Sequence, residues 1–107
     1  MSKESLKQEW RKLYSEILPA YARENNWPVH FDHCIARIIY DHVAGAKWDT
    51  VWCSPAIHNL SDDNLRKCIQ TGKDLKCADL DVVKLNRESL RYRGKISAES
   101  LIWVFLF

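Results

Sequence analysis

Trp27-Pro28-Val29-His30-Phe31-Asp32-His33-Cys34-Ile35-Ala36-Arg37-Ile38-Ile39-Tyr40-Asp41-His42-Val43-Ala44-Gly45 decides how this chain is read. Phe31, Cys34, Ile35, Ile38, Ile39 and His42 recur at spacings of three and four. That period puts them on one side of a helix over 32–44. Pro28 biases Trp27 toward extended backbone, so the helix begins after it. The carboxylate of Asp32 can cap its first turn. Gly45 can take the left-handed conformation that stops a helix.

This helix carries two features that need a chemical reason. His42 lies in the middle of the apolar side, so the spacing predicts a core imidazole needing hydrogen-bond partners. His33, Arg37 and Asp41 follow one another at intervals of four and form a polar ridge. Asp41 stands near the negative end of the helix dipole, where a carboxylate is disfavoured unless something distant holds it. Weak surface charge alone predicts a solvated face there.

Working outward, residues 3–25 read as a first helix with Leu6, Trp10, Leu13, Tyr14, Ile17 and Tyr21 on one stripe. The aromatics of that stripe could form a ligand platform, but their burial energy points to core packing. Pro19 falls on the polar side, so the helix either kinks there toward solvent or restarts. Residues 46–60 show no clean period and hold Trp48, Trp52, Cys53, Pro55 and His58. A tryptophan-rich loop of this kind reads as a lid or a contact surface.

Ser61 caps a third helix over 61–75, with Asp62 and Asp63 in the favourable first turn. Leu60 and Leu65 stand at the spacing of a hydrophobic staple. Leu65, Cys68, Ile69, Gly72 and Leu75 form its inner face, and Gly72 there implies a closely approaching neighbour. Residues 79–93 read as a fourth helix, with Asp79 as its cap and Gly94 as its stop. Val82, Val83, Asn86 and Leu90 form its inner face, beside a basic ridge of Lys84, Arg87 and Arg91. Such a ridge can hold a phosphate or carboxylate. Residues 96–107 form an apolar tail, too short to span a membrane.

The expected fold is therefore all-α. It is a single domain over 1–95 with four main helices and a tryptophan-rich loop between the second and third. The length of 107 residues suits one domain, and 47% hydrophobic residues with five tryptophans supply a core. A formal charge of +2 gives no global electrostatic case for nucleic acid or a membrane surface. Cys34, Cys53, Cys68 and Cys77 form no CxxC pair, and the start Met1-Ser2-Lys3-Glu4-Ser5 lacks an apolar signal core. The expectation is a cytoplasmic protein with reduced thiols and no membrane span.

Four chemistries can be weighed. His30, Asp32, His33 and Cys34, with Cys53 and His58, are too scattered for a tetrahedral zinc pattern, so no metal is expected. Cys34 with His33, or Cys53 with His58, could form a thiol–imidazole pair, but adjacent helical residues diverge by about 100°, which argues against the first, and neither pair has a local nucleophile signature. Gly45, Gly72 and Gly94 are too far apart for a phosphate loop, and no cofactor is expected. The remaining possibility is a polar cluster in which His33, Arg37 and Asp41 meet Trp48, Trp52 and His58 of the tryptophan loop and groups of the last helix such as Asn86, Arg87 or Arg91. That candidate surface suits a small anionic ligand, a peptide end or a protein partner. Nucleic-acid binding through Lys84, Arg87, Arg91, Arg93 and Lys95 is the weakest class.

The stretch from Trp27 to Ile38, with Ser54-Pro55-Ala56-Ile57-His58-Asn59-Leu60-Ser61 and Ser89-Leu90-Arg91-Tyr92-Arg93-Gly94-Lys95, resembles a small family of microbial proteins of this length. Members are sometimes labelled relatives of the GCN5-type N-acetyltransferases. The resemblance spans roughly residues 5–95 and stops before the tail. It implies acetyl transfer, yet the Arg/Gln-x-x-Gly-x-Gly/Ala turn that holds acetyl-coenzyme A in that superfamily is absent from this sequence. The functional expectation is a non-catalytic binding or interaction protein. The alternative is a small enzyme, an acetyltransferase if the label applies.

Overall fold

The computed structural model describes residues 2–94, and they are helical with no strand among them. Helix α1 runs Lys3–Lys12, and its capping residue Ser2 accepts a hydrogen bond from the Ser5 N–H. The chain stays helical through a wide π turn, Leu13–Ile17, and continues as α2, Leu18–Glu24. The π turn contains Ser15, whose carbonyl would meet the Pro19 ring in a regular helix. Widening the turn there lets the helix pass the proline. Pro19 itself is buried, not turned to solvent as its place on the wheel predicted.

Helix α3, Asp32–Ala44, is the central element. It touches the π turn, α2, the short 3-10 turn Trp48–Thr50, α5 (Asp62–Lys76) and α6 (Val82–Tyr92). Gly45 ends it at φ 69, donating to the Asp41 carbonyl at 2.9 Å. Phe31 is the residue before its first turn; the Asp32 carboxylate accepts the His33 N–H at 2.7 Å from inside the helix, not from the cap position.

The core gathers Leu6, Trp10, Leu18, Ile35, Ile38, Ile39, Leu60, Leu65 and Cys68, all at or near complete burial. Each large side chain so buried contributes about 1.5–3 kcal/mol. Trp10 donates its indole N–H to the Tyr40 hydroxyl at 2.8 Å, satisfying both buried polar groups. On α5, Ser61 accepts the Asn64 N–H, and Leu60 and Leu65 are both fully buried, in keeping with the capping pattern in the sequence. Gly72 faces the π turn: a Cβ added there would lie 2.6 Å from Leu13 Cδ2.

Several expectations are corrected. His42 is not a core residue; its side chain is 34% exposed and lies 3.5 Å from Glu88. Phe31 is 58% exposed and Cys34 is half-buried. All three have the right angle on the helix but lie near its ends. At the His42 end an open recess lined by His42, Val43, Lys67, Gln70 and Thr71 remains beside α5. Helix α6 starts at Val82 with Asp81 as its cap, not Asp79. Its buried positions are Leu85 and Ser89, whereas Val83 is exposed and Asn86 half-buried. The stretch 46–60 is not wholly irregular, since it holds the 3-10 turn and a short helix α4, Ala56–Asn59. The apolar tail lies outside the described residues. No helix among those described is long and apolar enough to cross a membrane.

Candidate functional site

The ridge His33, Arg37, Asp41 does not stay on one surface. Each step of four residues advances about 40° around a helix. Over two steps the ridge winds from open solvent to beneath α6. Asp41 is therefore 0% exposed. Its Oδ1 accepts the Trp48 backbone N–H at 2.9 Å and Arg93 Nη2 at 3.1 Å. Its Oδ2 accepts the Ser89 hydroxyl at 2.6 Å and Arg93 Nε at 2.9 Å. Four donors on two carboxylate oxygens explain why an acid survives at the wrong end of a helix dipole. The same bonds fasten the tryptophan-rich segment and the end of α6 to α3. The sequence does not link Ser89 or Arg93 to Asp41: a serine in an otherwise workable helix face carries no periodic signal, and Arg93 reads there only with the basic residues of a weak nucleic-acid class.

On the face beside Asp41, residues His33, Ala36, Arg37 and Tyr40 form one wall of an open cleft of about 340 Å³. Tyr14 of the π turn and Trp48, Ser54, Pro55, Ala56 and Ile57 complete it. Trp48 and Trp52 are half-buried against Tyr40, with ring centroids 5.6 and 6.1 Å away. Tyr40 is fixed behind by Trp10, and burial raises its pKa above the ordinary phenol value, so the ring stays neutral.

Arg37 is the one fully charged side chain among these lining residues. Its Nη2 donates to Asn86 Oδ1 at 2.6 Å, which orients the guanidinium without neutralising it. Its Nε is buried and has no partner among the described residues. No carboxylate of the described residues forms an ion pair with it. A buried, unpaired donor costs about 1–3 kcal/mol, so this one calls for a reason. His33, one turn earlier, is exposed; its Nδ1 lies 3.5 Å from Asp32, and its ring is stacked with Phe31 at 5.8 Å.

The structure thus brings His33, Arg37 and Trp48 into one cleft and separates the other candidates. Asp41 is turned inward as an anchor. Trp52 backs Tyr40 without lining the cleft. His58 is exposed, 3.5 Å from Lys7 Nζ. Arg87 is half-buried and Arg91 exposed on α6, and neither lines the cleft. Tyr14 and Tyr40, absent from the sequence-based site, do. Tyr14 belonged to a stripe assigned to core packing; Tyr40 could have been found from the spacing 33, 36, 37, 40, a second face of the same helix. No three His, Cys, Asp or Glu side chains of the described residues converge to hold a metal. Comparison with protein-family models, curated proteins and solved structures finds no match for this chain.

Proposed function

We propose that this protein is a non-catalytic binding protein that holds a small anionic ligand in the cleft between α3 and the tryptophan-rich segment. The observation that carries this reading is Arg37: a guanidinium on the cleft wall, oriented by a neutral amide, with a buried unpaired Nε and no carboxylate partner among the described residues. An anion in the cleft would neutralise it. The segment from Trp48 to Ile57 acts as the facing wall, held in place through Asp41. A cytoplasmic location belongs to this reading and is supported by four free thiols, which suit a reducing compartment.

Calorimetric titration with inorganic phosphate and with simple carboxylates tests it, for the native protein and for Arg37→Met. Binding that weakens about tenfold or more in the variant supports the reading. Binding that is indifferent to Arg37 refutes it. Acetyl-coenzyme A is the competing arm: transfer of its acetyl group to an amine would make the protein an enzyme.

A further inference from the structure

We infer that the ligand of this cleft is a small aromatic monocarboxylate, an inference that rests on the anion-binding reading above. The polar side chains of the cleft are Arg37, His33 and Ser54, and most of the remaining lining is carbon. Ala36, Pro55 and Ile57 are aliphatic, and Tyr14, Tyr40 and Trp48 bring rings. The Tyr40 hydroxyl is engaged by Trp10 in the core, so what Tyr40 offers the cleft is its ring. A bare phosphate or acetate would meet Arg37 but leave this carbon surface wet. A ligand with an apolar body removes that surface from water as its charge reaches the guanidinium.

The shape of the lining favours a flat ring over a chain. Tyr14 is inclined by 46° to Trp10, and Tyr40 by 57° to Trp48, with centroids 5.1 and 5.6 Å apart. Neither pair is stacked face to face; Tyr40 is buried against Trp10, Trp48 and Trp52, while the half-buried Tyr14 and Trp48 leave part of their rings to the cleft, where a third aromatic group can pack in an offset or edge arrangement. The volume of about 340 Å³ lies at the lower end of ligand clefts. It accommodates one ring with a short acid arm. Charge sets the last feature. Arg37 is the single permanent cation of the lining, and His33 is an exposed imidazole beside it. One negative charge on the ligand is matched by Arg37.

The test compares phenylacetate with three relatives that each lack one feature: acetate without the ring, 2-phenylethanol without the charge, cyclohexylacetate without aromaticity. Calorimetry gives the affinities, and amide and indole NMR shifts locate the ligand. The expected result is phenylacetate binding about tenfold or more tighter than each relative, with shifts at Trp48 and at residues 33–40. Trp48→Leu should weaken phenylacetate by a larger factor than acetate, while Arg37→Met weakens both; unaltered circular dichroism shows that each variant folds. If acetate or phosphate binds as tightly as phenylacetate and still depends on Arg37, the aromatic assignment falls and the anion-binding reading stands. Equal affinity for cyclohexylacetate also overturns aromaticity alone. Equal affinity for 2-phenylethanol, or no Arg37-dependent binding by any compound, overturns both.

Discussion

Replacing Asp41 by Asn removes one charge and almost no volume, so it isolates the buried anchor. The carboxylate receives four donors, two on each oxygen, and each oxygen takes one from Arg93. An amide has one acceptor oxygen and one NH2. Whichever way it is turned, the NH2 meets an Arg93 N–H; beside it stands either the Trp48 N–H or the Ser89 hydroxyl, which can rotate to accept. Arg93 is then left as a cation 19% exposed, without its carboxylate. Breaking a buried pair costs about 3–5 kcal/mol, and the residual exposure of Arg93 argues for the lower end, about 3. A domain of this size has roughly 5–14 kcal/mol of stability in total. At 4–8 °C per kcal/mol the melting point should drop by roughly 12–24 °C. Urea denaturation followed by circular dichroism measures the loss directly. His42→Ala is the internal control. That half-exposed residue with one weak contact to Glu88 should cost less than about 1 kcal/mol. Adding Arg93→Leu to Asp41→Asn removes the stranded cation, so the double variant should lose at least about 1 kcal/mol less than the sum of the singles. A loss under about 1 kcal/mol for Asp41→Asn, or simple additivity with Arg93→Leu, would refute the anchor.

Two further outcomes follow from the packing. Gly72→Ala should gain about 1 kcal/mol of helix propensity. Its Cβ, however, would come within 2.6 Å of Leu13 Cδ2 and 3.2 Å of both Leu13 Cγ and Leu18 Cδ1. Moving two packed leucines costs about 1–3 kcal/mol, so a melting point lowered by a few degrees is expected, and a raised one would show that the π turn yields freely. Alkali should also unfold the protein. Burial pushes the Cys68 thiol from 9.0 up to about 12, and burial holds the Tyr40 phenol above its ordinary 10.0. Below pH 9 both folded and unfolded chains keep these protons and stability is full. Above pH 9.0 for Cys68 and above pH 10.0 for Tyr40 the unfolded chain ionises first, so stability falls by about 1.4 kcal/mol per pH unit for each group until the folded form ionises too. Melting points recorded from about pH 7 to 11 should decline above pH 9 and decline less steeply in Cys68→Ala; a flat profile would contradict the burial of both groups.

The all-α class was legible in the sequence because helical period, caps and stops are local. Ser61 and Gly45 act within a few residues of themselves, and the stripes Leu6–Trp10–Leu13 and Leu65–Cys68–Ile69–Leu75 state their own angle. Gly72 announced a close neighbour, and only the fold showed that the neighbour is a leucine on a π turn. What periodicity leaves open is how far along a helix its partners reach. His42 and Phe31 have core angles, yet they stand near the ends of α3 where cover runs out. The interval His33–Arg37–Asp41 looked like one ridge, but its slow drift around α3 hands His33 and Arg37 to the cleft and Asp41 to α6. Half of the candidate site was therefore visible as residue types on one helix. The rest, Tyr14, Ser89 and Arg93, comes from elements 19 to 52 positions away in the chain, placed there by tertiary packing. A local pattern constrains rotation about one axis, whereas a site requires several axes to be fixed relative to one another, and only the packed core does that.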